Sequence, residues 1–422
     1  IFGNHMVLQR GAPLQIWGTA DAGEKIALKF GPRTFTSTTD EDGDWEIGLP
    51  SLKSDGGKSH KMTIKGKNTI VLENILIGDV WIGSGQSNME WNMNGSERRD
   101  EFVKDANHPG IRLFHIPKKQ FDAPQTDVEA KWKPCTSSNI PNFSAVLYHF
   151  GKTIQADQKV PIGLINSSWG GSPIEPWTVT DKGSGKMYNG MIAPIVKFPV
   201  TGTIWYQGET NCLQKNGLSY TGKMKDLIEG WRRVFNNGNM PFYFVQIAPW
   251  NGSYAPGQLP ALWEAQCATL KLPHTGMAVT TDIVHNIGDI HPRNKHDVGN
   301  RLARWALARH YQKKGVICSG PLYKAMKVES SRIRLAFAHS DGLKSRDGKD
   351  LNEFKIAGSD GQFVDAKAEI EGKFVLVSAE SIKNPTQVRF GWHKVANPNL
   401  VNRAGLPASP FQTEKWTGGT GE

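Results

Sequence analysis

Ser87 sits in the stretch Gly78-Asp-Val-Trp-Ile-Gly-Ser-Gly-Gln-Ser-Asn-Met89, where the apolar run Val80-Trp-Ile82 breaks on Gly83 and Gly85. A hydroxyl just past the end of a central strand is where open α/β sheets place their chemistry. A serine nucleophile needs a base to take its proton and an acid to fix the imidazole tautomer. Gly288-Asp-Ile-His-Pro-Arg-Asn-Lys295 supplies both: His291 as the base and Asp289, two residues earlier, as the acid, with Asp282 as a rival acid. Two more stretches follow strand-like runs, Asn166-Ser-Ser-Trp-Gly-Gly-Ser-Pro-Ile-Glu-Pro-Trp177 and Tyr206-Gln-Gly-Glu-Thr-Asn211. From them Gly170 or Gly171 can turn a backbone N–H toward the reacting centre, and Gln207 can add a side-chain donor. Together with the Ser87 amide these would form an oxyanion hole. Gln86, Asn88, Trp169, Glu175, Trp177, Glu209 and Asn211 are the residues expected to face a substrate.

Each stretch also has an ordinary structural use. A serine after a glycine-rich break often only caps a turn or helix. Asp289 and His291 are placed to cap the helix that follows them, Gly170-Gly171 can be a plain turn, and Trp169, Trp177 and Trp205 can be wall and core. His285, Asp289, His291 and His296 can be read as ligands of a metal-dependent deacetylase, although their spacing matches no standard zinc pattern. All four stretches fall just after strands of one domain, which favours a shared site over four coincidental caps.

The elements that must position these residues follow from periodicity. Residues 1–75 hold short alternating runs (Leu14–Gly18, Lys25–Phe30, Trp45–Leu49, Lys61–Lys65) separated by Asp/Gly turns, the pattern of an N-terminal β-sandwich module. From residue 76 to about 315, apolar strands alternate with helices. Val160–Asn166, Gly202–Tyr206, Phe242–Ile247 and Met277–Thr280 read as strands. Helices are expected from Ser144, through Tyr220–Trp231, around Ala261–Leu270 and through Val298–Trp305. This alternation predicts a three-layer α/β domain with a parallel sheet covered on both faces. Loops 92–142 and 250–258 are expected to shape the substrate cleft. Residues 316–422 return to strand patterns and read as a C-terminal β module.

Composition narrows the function classes. The 422-residue chain has 38% hydrophobic residues, 45 Gly and 14 Trp, and no run near the ~18 apolar residues of a membrane helix. Its formal charge of +10 is scattered, with no basic block or nucleic-acid motif, so nucleic acid is not an expected partner. Cys135, Cys212, Cys267 and Cys318 form no C-x-x-C and are expected to be isolated buried thiols. No signal peptide is recognisable where the sequence opens on Ile1, which is read as a mature or trimmed start. The oligomeric state is left open.

Taken in order, Gly-Gln-Ser-Asn-Met, Asn-Ser-Ser-Trp-Gly-Gly-x-Pro-Ile-Glu-x-Trp, Trp-Tyr-Gln-Gly-Glu-x-Asn and Asp-Ile-His-Pro-x-Asn-Lys resemble the sialate O-acetylesterase family of SGNH hydrolases. The resemblance extends over nearly the whole chain, including Met6-Val-Leu-Gln-Arg10. It implies a flavodoxin-like α/β/α domain, Ser87 as nucleophile, His291 as base, Asp289 as acid, and oxyanion contacts at Gly170 or Gly171 and Gln207. The usual Gly-x-Asn-Asp block of SGNH enzymes is replaced here by Gln207-Gly-Glu-Thr, leaving Gln207 and Asn211 both open as the third donor. What the resemblance implies is a serine esterase acting on an acetylated carbohydrate, sialic acid or a plant polysaccharide such as xylan. It implies no metal or organic cofactor and an extracytoplasmic location. The alternatives are the metal-dependent deacetylase above and a non-catalytic glycan-binding protein.

Overall fold

The computed structural model describes residues 1–414 and shows a mixed α/β protein with a large sheet and several small all-β sheets. The end of the expected C-terminal module, 415–422, lies outside the described residues. The chain packs as two compact units: Ile1–Trp205 with Asp226–Phe242, and Tyr206–Lys225 with the chain from Tyr243 onward.

In the first unit the strand order is Gly202–Tyr206, Thr69–Gly85, Ile162–Ser168, His108–His115 and Trp132–Cys135. Thr69–Gly85 and His108–His115 both run parallel to Ile162–Ser168, while Trp132–Cys135 is antiparallel at the edge. Strand Ile162–Ser168 is buried along its whole length, as expected of a strand with both faces covered. Two of these strands lie inside the segment 92–142 expected to be cleft loops. Pro109-Gly110 interrupts the first of them and hides a buried Ile111–Phe114 run from a pattern reading. Helix Ala145–Gln158 packs on the sheet, and a Cβ at Gly83 would come within 2.8 Å of Leu147. Its N-cap Ser144 accepts the Leu147 N–H and donates to the Met89 carbonyl, tying the helix start to the turn that carries Ser87.

The N-terminal strands do not end at residue 75. Thr69–Gly85 is one 17-residue strand: its first part pairs with His60–Lys65 and its last part with Ile162–Ser168. Leu14–Thr19 pairs with Asp44–Leu49, and Lys25–Phe30 with Arg33–Thr38 and His60–Lys65.

In the second unit, helix Lys295–Trp305 carries the buried row Val298, Leu302 and Trp305. From Leu322 the chain forms two antiparallel four-stranded sheets. Their strand orders are Leu322–Glu329, Arg332–Ala338, Phe374–Ser378, Lys367–Glu371 and Val364–Asp365, Phe354–Ala357, Gln387–Phe390, Phe411–Gln412. Ile333, Leu335, Val375, Val377, Ile356, Val388 and Phe390 form the core between them. All four cysteines are free thiols, and no helix among the described residues is long and apolar enough to cross a membrane.

Candidate active site

Within the first unit, strand register sets the surroundings of Ser87. Ser168 pairs with Gly85, and the Trp169 N–H extends the ladder by one bond to the Gly85 carbonyl, 3.0 Å. Two residues past each strand end, Ser87 and Gly170 therefore meet. A Cβ on residue 170 would lie 3.4 Å from the Ser87 Cβ and 3.1 Å from Glu90 Oε2, so only glycine fits without displacing a neighbour. Gly85 holds φ at +133°, which lets the chain leave the strand sharply and begin the short helix Ser87–Glu90. Ser87 occupies the first position of that helix, where N–H groups point out of the helix toward any anion in front of it.

Glu90 closes this arrangement. One carboxylate oxygen accepts the Gly170 N–H at 2.5 Å and the other pairs with Lys118, whose ammonium stands 6.0 Å from the centre of the Trp169 ring. Sequence reasoning missed both Glu90 and Lys118. The available signal was an acid three residues after Ser87, within the same helical turn.

In the second unit Asp289 and His291 stand together on one loop. Asp289 Oδ1 accepts the His291 backbone N–H at 2.8 Å and stands 3.7 Å from His291 Nδ1. The loop holding them is braced from outside: the Trp250 indole donates to the Gly288 carbonyl and the Asn251 N–H to the Ile287 carbonyl. Segment 250–258, expected to shape a cleft, thus buttresses the Asp289 loop. Neither Asp289 nor His291 caps the following helix, because Asn294 does so by accepting the Asp297 N–H. The rival acid Asp282 is committed elsewhere: both its oxygens take bonds of 2.7 Å from Arg301, with side-chain exposures of only 6% and 12%.

Burial pushes the His291 pKa below its ordinary value, and the Lys295 charge lowers it further while Asp289 opposes the shift. Lys295 is a residue the sequence reading passed over. It is 1% exposed, lies 5.5 Å from the Tyr206 ring centre, and its pKa is pushed down to about 7 by burial against the opposing pull of Glu209 and Asp289.

Gln207 is fixed at both ends. Its Nε2 donates to Asn211 Oδ1 at 2.7 Å, its Oε1 accepts the Tyr220 hydroxyl at 2.6 Å, and Asn211 Nδ2 donates to Asn216. Of the seven residues expected to face a substrate, Trp169 and Glu175 reach solvent. Gln86, Asn88, Glu209, Asn211 and Trp177 are buried. Trp177 is the plainest correction: its indole donates to Ser172 Oγ and its carbonyl accepts the Trp231 indole N–H, so it is a core residue. Among the described residues, no three His, Cys, Asp or Glu side chains are grouped to hold a metal ion.

The model of the carbohydrate esterase family of sialic acid-specific acetylesterases matches residues 77–308. The sialate O-acetylesterases of Homo sapiens and Pongo abelii are each 30% identical to this chain over 406 residues, covering 82% of it and 77% of their own length. A crystal structure of a carbohydrate acetylesterase from Xanthomonas citri superposes with a TM-score of 0.93 at 36% identity, covering 98% of both chains. On the strength of these matches, the chain belongs to the sialic acid-specific acetylesterase family of carbohydrate esterases.

Proposed function

We propose that this protein is a serine esterase that removes O-acetyl groups from carbohydrates through an acetyl-enzyme. Ser87 Oγ attacks the acetyl carbonyl while His291 takes its proton, and Asp289 holds the imidazole in the tautomer that leaves the other nitrogen basic. The oxyanion is received by the Ser87 N–H and the Gly170–Gly171 turn, with the third donor drawn from the hydrogen-bonded pair Gln207 and Asn211. Within that turn the Gly170 N–H is engaged by Glu90. Each such donor contributes about 3–4 kcal/mol in the transition state. His291 returns the proton to the departing sugar oxygen, and water then releases acetate by the same steps in reverse.

The observation that carries this reading is the Asp289–His291 pair. It stands on a braced loop, relieved of any capping duty, while the one rival acid is locked to Arg301. The family supports an O-acetylated sugar as substrate, and the candidates carried here are sialic acid and a plant polysaccharide such as acetylated xylan. The fold that goes with this reading is the flavodoxin-like α/β/α SGNH domain, and the location an extracytoplasmic one.

The test is acetate release from 4-nitrophenyl acetate, acetylated xylan and O-acetylated sialic acid, with and without chelator. Activity that survives chelation and disappears in Ser87→Ala is the expected result, and the ratio of polymer to sialate turnover names the substrate. Activity that survives Ser87→Ala but dies with chelator would replace the serine mechanism by a metal-dependent one.

A further inference from the structure

The C-terminal β module holds a cavity of about 580 Å³ lined by Glu353, Lys355, Asp365, Arg389, Trp392 and His393 among others. This volume is within the range of small-molecule sites. Strand register explains how the polar groups converge. Lys355 pairs with Asp365 on one side and Arg389 on the other, so three charged side chains form a row across neighbouring strands. Their strand neighbours Phe354, Ile356, Val388 and Phe390 point into the core.

Every one of these charges is pinned. Lys355 bonds Asp365 at 2.8 Å; Arg389 bonds Glu414 at 3.0 Å and lies 4.1 Å from the centre of the Phe363 ring. Glu353 takes the left-handed backbone conformation at φ +65°, uncommon for a residue with a Cβ, which is a feature that clusters at functional positions. Its carboxylate is then held by His393 and by the Asn397 N–H. Trp392 is half-buried at the same opening, and among the described residues its indole has no hydrogen-bond or ring partner.

The lining carries two anions, Glu353 and Asp365, and two cations, Lys355 and Arg389, so the cavity attracts neither a polyanion nor a polycation. It offers acceptors and donors beside one aromatic face. A carboxylate already in an ion pair keeps lone pairs for further hydroxyl donors. Such a surface suits a neutral polyhydroxylated ring with an apolar face. We propose that this cavity is a second, non-catalytic sugar site that takes a neutral pyranose unit of a glycan. The C–H face of the ring lies on Trp392, and its hydroxyls bond to Glu353, Asp365 and Arg389.

The site goes beyond the esterase mechanism and is tested separately from it. Calorimetric titration of the full chain with xylohexaose and with lactose, neither of which carries an ester, reads binding without turnover. The wild type is expected to bind at least one of them, with at least tenfold weaker binding in Trp392→Ala and several-fold weaker binding in Asp365→Asn. Hydrolysis of 4-nitrophenyl acetate should stay at the wild-type rate in both variants, whatever Ser87→Ala does to it. The Asp365 side chain is 92% exposed, so its variant decides the matter if Trp392→Ala lowers the melting temperature. No binding of either sugar by the wild type, or equal binding by both folded variants, would overturn the proposal.

Discussion

The surroundings of Ser87 and of His291 are built by different physics. Around Ser87 the work is done by backbone: the pairing of Ser168 with Gly85, the positive φ of Gly85 and the missing side chain of Gly170 bring two loops into van der Waals contact. Around His291 it is done by charge: Asp289 3.7 Å from the imidazole, buried Lys295 acting on it, and Asp282 drawn off by Arg301. A site fixed by backbone is damaged by added volume and is indifferent to pH. A site fixed by buried charge tolerates volume better and answers to protonation. Substitutions in the two regions should therefore fail in distinguishable ways.

The largest effect separates two aspartates. Asp289→Asn should lower kcat by roughly 10⁴-fold on 4-nitrophenyl acetate with little change in melting temperature, the result of replacing the acid of a serine triad by an amide. Asp282→Asn should do the opposite. It leaves Arg301 buried without its carboxylate, a loss of about 3–5 kcal/mol in stability, while turnover per folded molecule stays near wild type. Equal kinetic losses in both variants would mean that the acid has been assigned to the wrong residue.

Next in size is the backbone contact. Gly170→Ala places a methyl 3.1 Å from Glu90 Oε2 and 3.4 Å from the Ser87 Cβ. A shift of the serine by a fraction of an ångström should cost on the order of 10²-fold in kcat, with the pH profile unchanged in shape. Glu90→Gln keeps the volume and one acceptor for the Gly170 N–H but drops the Lys118 pair, and should lose less. A Gly170→Ala enzyme with wild-type kcat would show that the close approach has no part in the reaction.

Much of this could be read from the chain because it is local. Helices 145–158 and 295–305 announce themselves by apolar spacing, and the four loops by glycine and polar residues after apolar strands. Strand His108–His115 did not, because Pro109-Gly110 hides its start and its burial depends on Ile162–Ser168, some fifty residues away. The boundary expected at residue 75 falls inside one strand, which pairs first with His60–Lys65 and then with Ile162–Ser168. Glu90 and Lys295 were passed over because a charged residue in a sequence reads as solvated. Only the fold reveals that one holds a glycine amide and the other is buried beside Tyr206.

The subtlest effect belongs to Lys295, and it gives the charge-built region its own signature. For an esterase using neutral His291 as base, kcat/KM rises with pH as the imidazole loses its proton. Burial and the Lys295 charge both lower that pKa, so the rising limb should lie below the ordinary histidine value of about 6.5. Below its own pKa of about 7 Lys295 carries its charge and so acts on His291. Lys295→Met removes one of the two lowering influences, so the midpoint should move upward while Gly170→Ala leaves it in place. Stability gives an independent readout of the same buried charge. The folded state gives up the Lys295 proton near pH 7 and the unfolded chain keeps it to about 10.4, so unfolding takes up a proton between those values. The penalty of burying the ammonium is fully present below pH 7 and is relieved as pH rises through that window. Relative to Lys295→Met, the wild type should therefore gain stability from pH 7 upward. A midpoint that stays fixed and a stability difference that is flat with pH would together remove Lys295 from the electrostatics of His291.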